Sequence, residues 1–214
     1  MKESRYIAVE GPIGVGTTSL AKLLASELGA ATLLEEADAN PFLERFYGDI
    51  RKYAFQTQIF FLLSRFQQLK ELSQQELFDS MVVSDYLFAK DRIFACLNLD
   101  EDELTLYEKL YGALDLRTPK PDLVIYLMAS SDVLEERIAR RAKPYEREIG
   151  PDYLERLVDA YNRFFFYYDE SPLLTINTTE IDFVGNPSDL SNLVKEIRSM
   201  KGGSMHYIPL GSGL

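Results

Sequence analysis

YIAVEGPIGVGTTSLAKLLASEL, residues 6–28, is the stretch from which the architecture can be read. It begins with an apolar run, Tyr6–Val9, bends through GPIGVGTTS at residues 11–19 and continues as an amphipathic helix from Leu20. Strand, glycine-rich loop and helix in that order are the setting of the phosphate-loop pattern G-x-x-x-x-G-K-[ST]. Gly11, Gly16 and Thr18 match it, and Gly14 adds freedom inside the loop. Such glycines let backbone N–H groups turn inward around phosphate oxygens, and the helix N-terminus adds partial positive charge. Gly11, Pro12, Ile13, Gly14, Val15, Gly16, Thr17 and Thr18 are therefore the candidate phosphate cradle, with the Thr18 hydroxyl a candidate Mg²⁺ ligand. A tight turn that holds nothing is the competing interpretation.

The lysine position of the pattern is occupied by Thr17. That lysine is a point charge on the transferring phosphoryl group, and a hydroxyl cannot replace it. Removing one preorganised donor from a dry site costs about 10²–10³ in rate. Three explanations stand open. The chain is a natural variant compensated by the arginines of its lid, a nucleotide binder without catalysis, or a form inactivated by a single base change from a lysine codon.

Further apolar runs follow at Thr32–Leu34, Met81–Val83, Leu123–Met128 and Leu173–Ile176, separated by segments long enough for helices. Two-sided apolar strands alternating with helices read as an α/β fold around a central, parallel, five-stranded sheet. In residues 51–77, Phe55, Ile59, Leu62, Phe66 and Leu69 recur at steps of three and four, the signature of a helix. Gln58 and Arg65 lie seven residues apart on it, so they share a face about 10 Å apart. Residues 101–117 read as a second helix, its first turn solvated by the acidic run Asp100–Glu103. Residues 131–142 and 152–168 read as two more, with Pro151 at a suitable first position. The five aromatics Phe164–Tyr168 read as core or helix–helix packing. Residues 1–200 are expected to form one domain, followed by a glycine-rich tail, 201–214, that is mobile or docked irregularly.

Lys and Arg total 23 against 34 Asp and Glu, a net charge of -11. This argues against a nucleic-acid polymer as partner, because backbone phosphates demand positive charge. It leaves a small phosphorylated ligand possible at a local basic island. Cys96 is the lone cysteine and sits in an apolar run, so it is expected to be an inert buried thiol. His206 is the lone histidine, which speaks against a histidine-centred triad. No apolar run approaches a membrane span and the N-terminus lacks the form of a signal peptide. A cytoplasmic protein is the expectation.

Several segments together resemble the deoxynucleoside kinase family, especially its bacterial purine-deoxynucleoside branch, from about Tyr6 to Ile197. The segments are the loop, LEEADANPFLERFY at 34–47, FQTQIFFLLSRF at 55–66, SDYLFAKDRIFA at 84–95 and ERIARRAKPYEREIG at 136–150. The resemblance implies a P-loop kinase fold with an Arg-rich lid, ATP as donor, Mg²⁺, a small deoxynucleoside as acceptor and a homodimer paired through helices near residues 51–77 and 101–117. It implies that Glu35 takes the proton of the attacking 5′-hydroxyl, a role within reach of a carboxylate. Where the family usually has proline next, this chain has Glu36, so Glu36 is the competing choice of base. Gln58 corresponds to the glutamine that pairs with the base edge, and an amide can donate and accept at once. Arg65 and Asp91 correspond to a pair associated with purine acceptance, and Asp85 to the acid near Mg²⁺. The arginine that commonly follows it is Tyr86 here, a second missing positive charge.

Residues 137–147 of the lid carry Arg137, Arg140, Arg141, Lys143 and Arg147 against one acid, Glu146. Arg137 and Arg141 are four apart and share a helix face. The resemblance gives them and Lys143 to the donor phosphates, with Arg137 also catalytic, and gives Tyr47 and Glu146 to the sugar 3′-hydroxyl. The expected activity is transfer of the γ-phosphoryl group of ATP to a deoxynucleoside. A silent nucleotide-binding subunit is the rival suggested by Thr17 and Tyr86. A nucleoside-monophosphate kinase is a third reading, disfavoured by the Glu35 and Tyr47–Glu146 resemblance.

Overall fold

The structure is a computed structural model that describes residues 6–74, 81–179, 181, 183–200 and 202–207. Six parallel strands run β1 (Tyr6–Glu10), β2 (Ala31–Leu33), β3 (Val82–Ser84), β4 (Leu123–Met128), β5 (Leu173–Asn177) and β6 (Ser204–Tyr207), in the order β2-β3-β1-β4-β5-β6. Among the described residues, eight α-helices connect them: α1 (Thr17–Leu28), α2 (Leu43–Gly48), α3 (Ile50–Gln74), α4 (Lys90–Asn98), α5 (Glu101–Asp115), α6 (Ser131–Arg141), α7 (Pro151–Phe166) and α8 (Pro187–Ser199).

Alternation along each strand sorts its side chains to two cores. Tyr6, Ala8, Val82, Val124 and Tyr126 face a cluster built with α3, α4, α5 and α7. Ile7, Val9, Val83, Ile125, Leu127 and Ile176 face the other, built with α1 and α8. Because both faces are covered, the central strands read as continuous apolar runs. Helix α5 opens with a capping box: Asp100 accepts from the Glu103 N–H at 2.8 Å, and the Asp100 N–H donates to Glu103 at 3.1 Å. The acidic run is thus a first turn, as its residue types suggest.

Three expectations need correction. The sheet has six strands, not five, because β6 forms inside the stretch taken as an irregular tail. It is a half-exposed edge strand, SMHY, so it lacks the apolar run by which buried strands announce themselves. The remainder of that tail, 208–214, lies outside the described residues, as do 75–77 of the helix expected over 51–77. Cys96 is exposed rather than buried. Helix α4 buries Asp91, Ile93, Ala95 and Asn98, which turns Arg92 and Cys96, four apart, outward. The aromatic run splits likewise: Phe165 and Tyr168 are buried, while Phe166 and Tyr167 are exposed.

Among the described residues, no helix is long and apolar enough to cross a membrane. The strand order reverses at β1 and β3. In open parallel sheets the crevice beyond the carboxyl ends at such a reversal is where ligands bind. Here the loop after β1, Glu35 after β2 and Asp85 after β3 all emerge at that end.

Candidate active site

The loop is held from below by an acid. The buried Glu10 carboxylate accepts from the Gly11 N–H at 2.8 Å, from the Leu87 N–H at 2.8 Å and from the Tyr161 hydroxyl at 3.1 Å. Burial pushes its pKa up, against the pull of Lys90 and of the two backbone donors. Loop and β3–α4 connection are thereby fixed to one another. Gly14 and Gly16 have φ of +88° and +105°, conformations in which other side chains are strained. Gly16 caps α1, so Thr17 and Thr18 occupy its first turn.

The loop forms one wall of a cavity of about 640 Å³, within the size range of small-molecule sites. Gly11, Pro12, Ile13, Gly14, Gly16, Thr17 and Thr18 line it, together with Glu35, Tyr47, Gln58, Arg65, Asp85, Arg141, Lys143 and Glu146. Three of the expected site residues stand differently. Val15 packs its side chain into the core. Asp91 is wholly buried behind Arg65 and acts through it. Arg137 lines a second groove on the other side of the loop.

At the centre of the cavity is a run of charged contacts. The Thr18 hydroxyl donates to Asp85 Oδ2 at 2.5 Å, and the Glu35 N–H donates to Asp85 Oδ1 at 2.7 Å. The Glu35 carboxylate is gripped at both oxygens: Arg65 Nε donates to Oε1 at 2.7 Å and Lys90 Nζ to Oε2 at 3.1 Å. Burial alone would raise the Glu35 pKa, but Arg65 and Lys90 outweigh it and hold it at about 2. Glu36, by contrast, is exposed. Arg65 also pairs with Asp91, which accepts from the Tyr107 hydroxyl at 2.8 Å. Its guanidinium lies 4.8 Å from the centre of the Phe61 ring. Burial lifts Asp91 to about 6, against the attraction of Arg65.

Two buried polar atoms in this cavity lack any partner: Gln58 Oε1 and Thr57 Oγ1. A native structure tolerates such atoms where a ligand satisfies them. Gln58 and Arg65 share the inward face of α3, as their spacing predicts.

The lid folds over the far wall. Arg141 donates through Nε to Glu146 Oε2 at 3.0 Å and makes a second bond to Oε1. Glu146 is buried, and Tyr47, stacked on Tyr145 at 6.2 Å between ring centres, lines the cavity beside it. Lys143 donates to Asp38 at 2.9 Å, and the Tyr145 hydroxyl donates to Asp38 at 2.6 Å. Arg137 instead bonds the Thr178 carbonyl at 2.7 Å and the Val15 carbonyl at 3.3 Å. Of the two arginines on this helix face, Arg137 lines the groove alone, while Arg141 lies on the rim and lines both cavities. Lys90, Thr57 and Phe61 were not singled out from the sequence. Lys90 alone carried a signal, as the only cation in the mostly apolar segment YLFAK.

The model of the deoxynucleoside kinase family matches residues 7–201. This chain belongs to the deoxynucleoside kinase family. It is 35% identical over 205 residues to the deoxyguanosine kinase of Bacillus subtilis, covering 94% of this chain and 99% of that one. It is 36% identical to the deoxyadenosine kinase of Dictyostelium discoideum, covering 93% and 82%. The solved deoxyadenosine kinase from M. mycoides with bound dATP superposes with a TM-score of 0.80 at 26% identity, covering 91% of this chain and 100% of that one. The fold is that of the P-loop kinases, and the chain is an enzyme of the transferase class.

Proposed function

We propose that this chain transfers the γ-phosphoryl group of ATP to the 5′-hydroxyl of a deoxynucleoside, purine deoxynucleosides foremost. The observation that carries this reading is the meeting of Glu35, Gln58, Arg65 and the phosphate loop in one cavity. Gln58 Oε1 is a buried acceptor waiting for a base edge. The Arg65–Asp91 pair supplies donors and an acceptor beside it. Tyr47 and Glu146 at the lid wall suit the sugar 3′-hydroxyl. The curated relatives named above act on purine deoxynucleosides.

The main cavity and the groove beside Arg137 share Gly14, Gly16, Ser19 and Arg141. A donor with its base in the groove and its phosphates over that shared rim would point its γ-phosphoryl at Glu35. Thr18 and Asp85 would hold Mg²⁺: both offer hard oxygen atoms, and their side chains already touch. When bound, Mg²⁺ would neutralise charge on the phosphate oxygens. The chain's own residues then do the rest. Loop N–H groups hold the phosphates, Arg137 and Arg141 flank them, and Glu35, ionised throughout the neutral range, accepts the 5′-hydroxyl proton as the oxygen–phosphorus bond forms. We further propose a cytoplasmic homodimer.

Phosphorylation of each of the four deoxynucleosides with ATP and Mg²⁺, compared between this chain and Thr17→Lys, tests the reading. The expected result is 5′-monophosphate from both proteins, faster with purines. Thr17 favours the silent-subunit alternative, which predicts calorimetric binding of ATP without product. Absence of product from all four acceptors, even with Thr17→Lys, would falsify the kinase reading.

A further inference from the structure

Lys90 is a cation where cations are disfavoured. It is the first residue of α4, at the positive end of that helix's dipole. Its side chain is 13% exposed, so most of its hydration is gone. Yet burial, which would lower its pKa, is outweighed by Glu35, Glu10 and Asp85, and the ammonium stays charged. Structural economy does not call for such a group. Arg65 already holds one oxygen of Glu35, and Lys90 brings a second charge to the same carboxylate from the cavity wall.

Its placement answers the deficit in the loop. Lys90, Thr17 and Thr18 line one cavity. Lys90 bonds Glu35, the Glu35 N–H bonds Asp85, and Asp85 bonds the Thr18 hydroxyl. Position 86 offers no charge: Tyr86 is buried and its hydroxyl donates to Gln68 at 2.9 Å. The centre holds two cations, Arg65 and Lys90, against Glu10, Glu35, Asp85 and Asp91. A polyphosphate entering there would meet net negative charge, and Arg65 is taken up by two carboxylates.

We propose that Lys90 supplies the cation that Thr17 does not, reaching the transferring γ-phosphoryl group from the acceptor side of the cleft. This rests on the kinase reading above. An ammonium has three donors, so it can keep Glu35 Oε2 and still donate to phosphoryl oxygens. In the step, the 5′-oxygen–γ-phosphorus bond forms and the γ-phosphorus–β-bridging-oxygen bond breaks. The hydroxyl proton passes to Glu35, and the electron pair leaves with the nucleoside diphosphate. Lys90 gives hydrogen bonds and charge but no proton.

The test compares Lys90→Met, Lys90→Gln, Lys90→Arg and the double variant Thr17→Lys/Lys90→Met with the unaltered chain. Thermal melts and deoxynucleoside binding by calorimetry establish that each is folded. Lys90→Gln keeps a donor toward Glu35 but removes the charge. The expected result is a kcat lower by about 10²–10³-fold in both Met and Gln variants, with deoxynucleoside affinity within a few-fold. Lys90→Arg should keep more activity, and Thr17→Lys should restore at least about tenfold to Lys90→Met, since it returns a charged donor to the same group. A folded Lys90→Gln with near-normal kcat, or a Lys90→Met that Thr17→Lys does not rescue, overturns the proposal and leaves Lys90 a holder of Glu35. If neither the unaltered chain nor Thr17→Lys forms product, the kinase reading fails and this inference falls with it.

Discussion

Glu35 is the residue on which the site's electrostatics converge. Two buried cations hold its pKa near 2, against an ordinary value of 4.5. A carboxylate whose folded pKa is depressed contributes stability that is fully present above the unfolded value and is lost as pH falls through the folded one. The window is therefore about pH 4.5 down to about 2, and the full contribution is about 3 kcal/mol at neutral pH. Glu35→Gln should accordingly melt earlier in urea at pH 7, with Arg65 and Lys90 left without their shared carboxylate. By about pH 3 the gap between the two proteins should fall to roughly half. Urea titrations at a series of pH values measure it; a gap that stays constant from pH 7 to pH 3 contradicts the ion-pair account. Phosphoryl chemistry should be lost in the same variant at every pH. A carboxylate this acidic is a weak base in the ground state, which suits a step where the proton moves as the oxygen–phosphorus bond is formed rather than before.

Among the elements, the phosphate loop and lid helix α6 form one mechanical unit. Arg137 of α6 bonds the Val15 carbonyl, and a Cβ placed on Gly14 would lie 2.9 Å from Ile138 and 3.1 Å from the Leu134 carbonyl, both on α6. Gly14→Ala therefore faces two penalties, a left-handed backbone and a collision with the lid's base. Gly29 gives the control: its φ is +64°, but no atom lies within 4 Å of a Cβ there. Gly29→Ala should cost about 1–2 kcal/mol from the backbone alone. Gly14→Ala should cost more and should raise the KM for ATP more than that for the deoxynucleoside. Thermal melts and two-substrate kinetics check this, and equal effects of the two alanines would show that the loop does not lean on the lid. The sequence exposes this unit only in part. Glycine spacing, the Gln58–Arg65 interval and the basic lid are local patterns, and they appear in the structure where they were expected. The turning of Arg137 toward Val15, the burial of Lys90 against Glu35 and the pairing of β6 depend on contacts between segments far apart in the chain. Such contacts leave no periodicity. Cys96 shows the same limit from the other side: an apolar neighbourhood in sequence placed it inside, and the phase of a nine-residue helix put it outside.

At the scale of the whole molecule, the fold leaves leucines exposed on two helices, away from the lining of the cavity. The site lies at the carboxyl ends of the strands, while α3 and α5, which pack together, turn Leu63, Leu106 and Leu110 outward at 52%, 50% and 41% exposure. Single exposed leucines are ordinary. Here Leu106 and Leu110 lie one turn apart on α5, and Leu63 is on the same helix that presents Gln58 and Arg65 to the cavity. A two-fold contact between copies would bury this face against itself and stiffen α3 from behind. Leu106→Glu places a charge on this face, where each copy would meet the other's. Sedimentation at micromolar concentration should then show a dimer for the unaltered chain and a monomer for the variant. The unaltered chain should also melt at a temperature that rises with protein concentration, as it must when dimerisation supports the fold, and the variant should not. Because α3 carries Gln58 and Arg65, the residues proposed to read the base, the monomer should bind deoxynucleoside more weakly, while its affinity for ATP, proposed to depend on the loop, stays near normal. A monomeric unaltered chain would remove the basis for this coupling, and a dimeric Leu106→Glu would place the interface on another face.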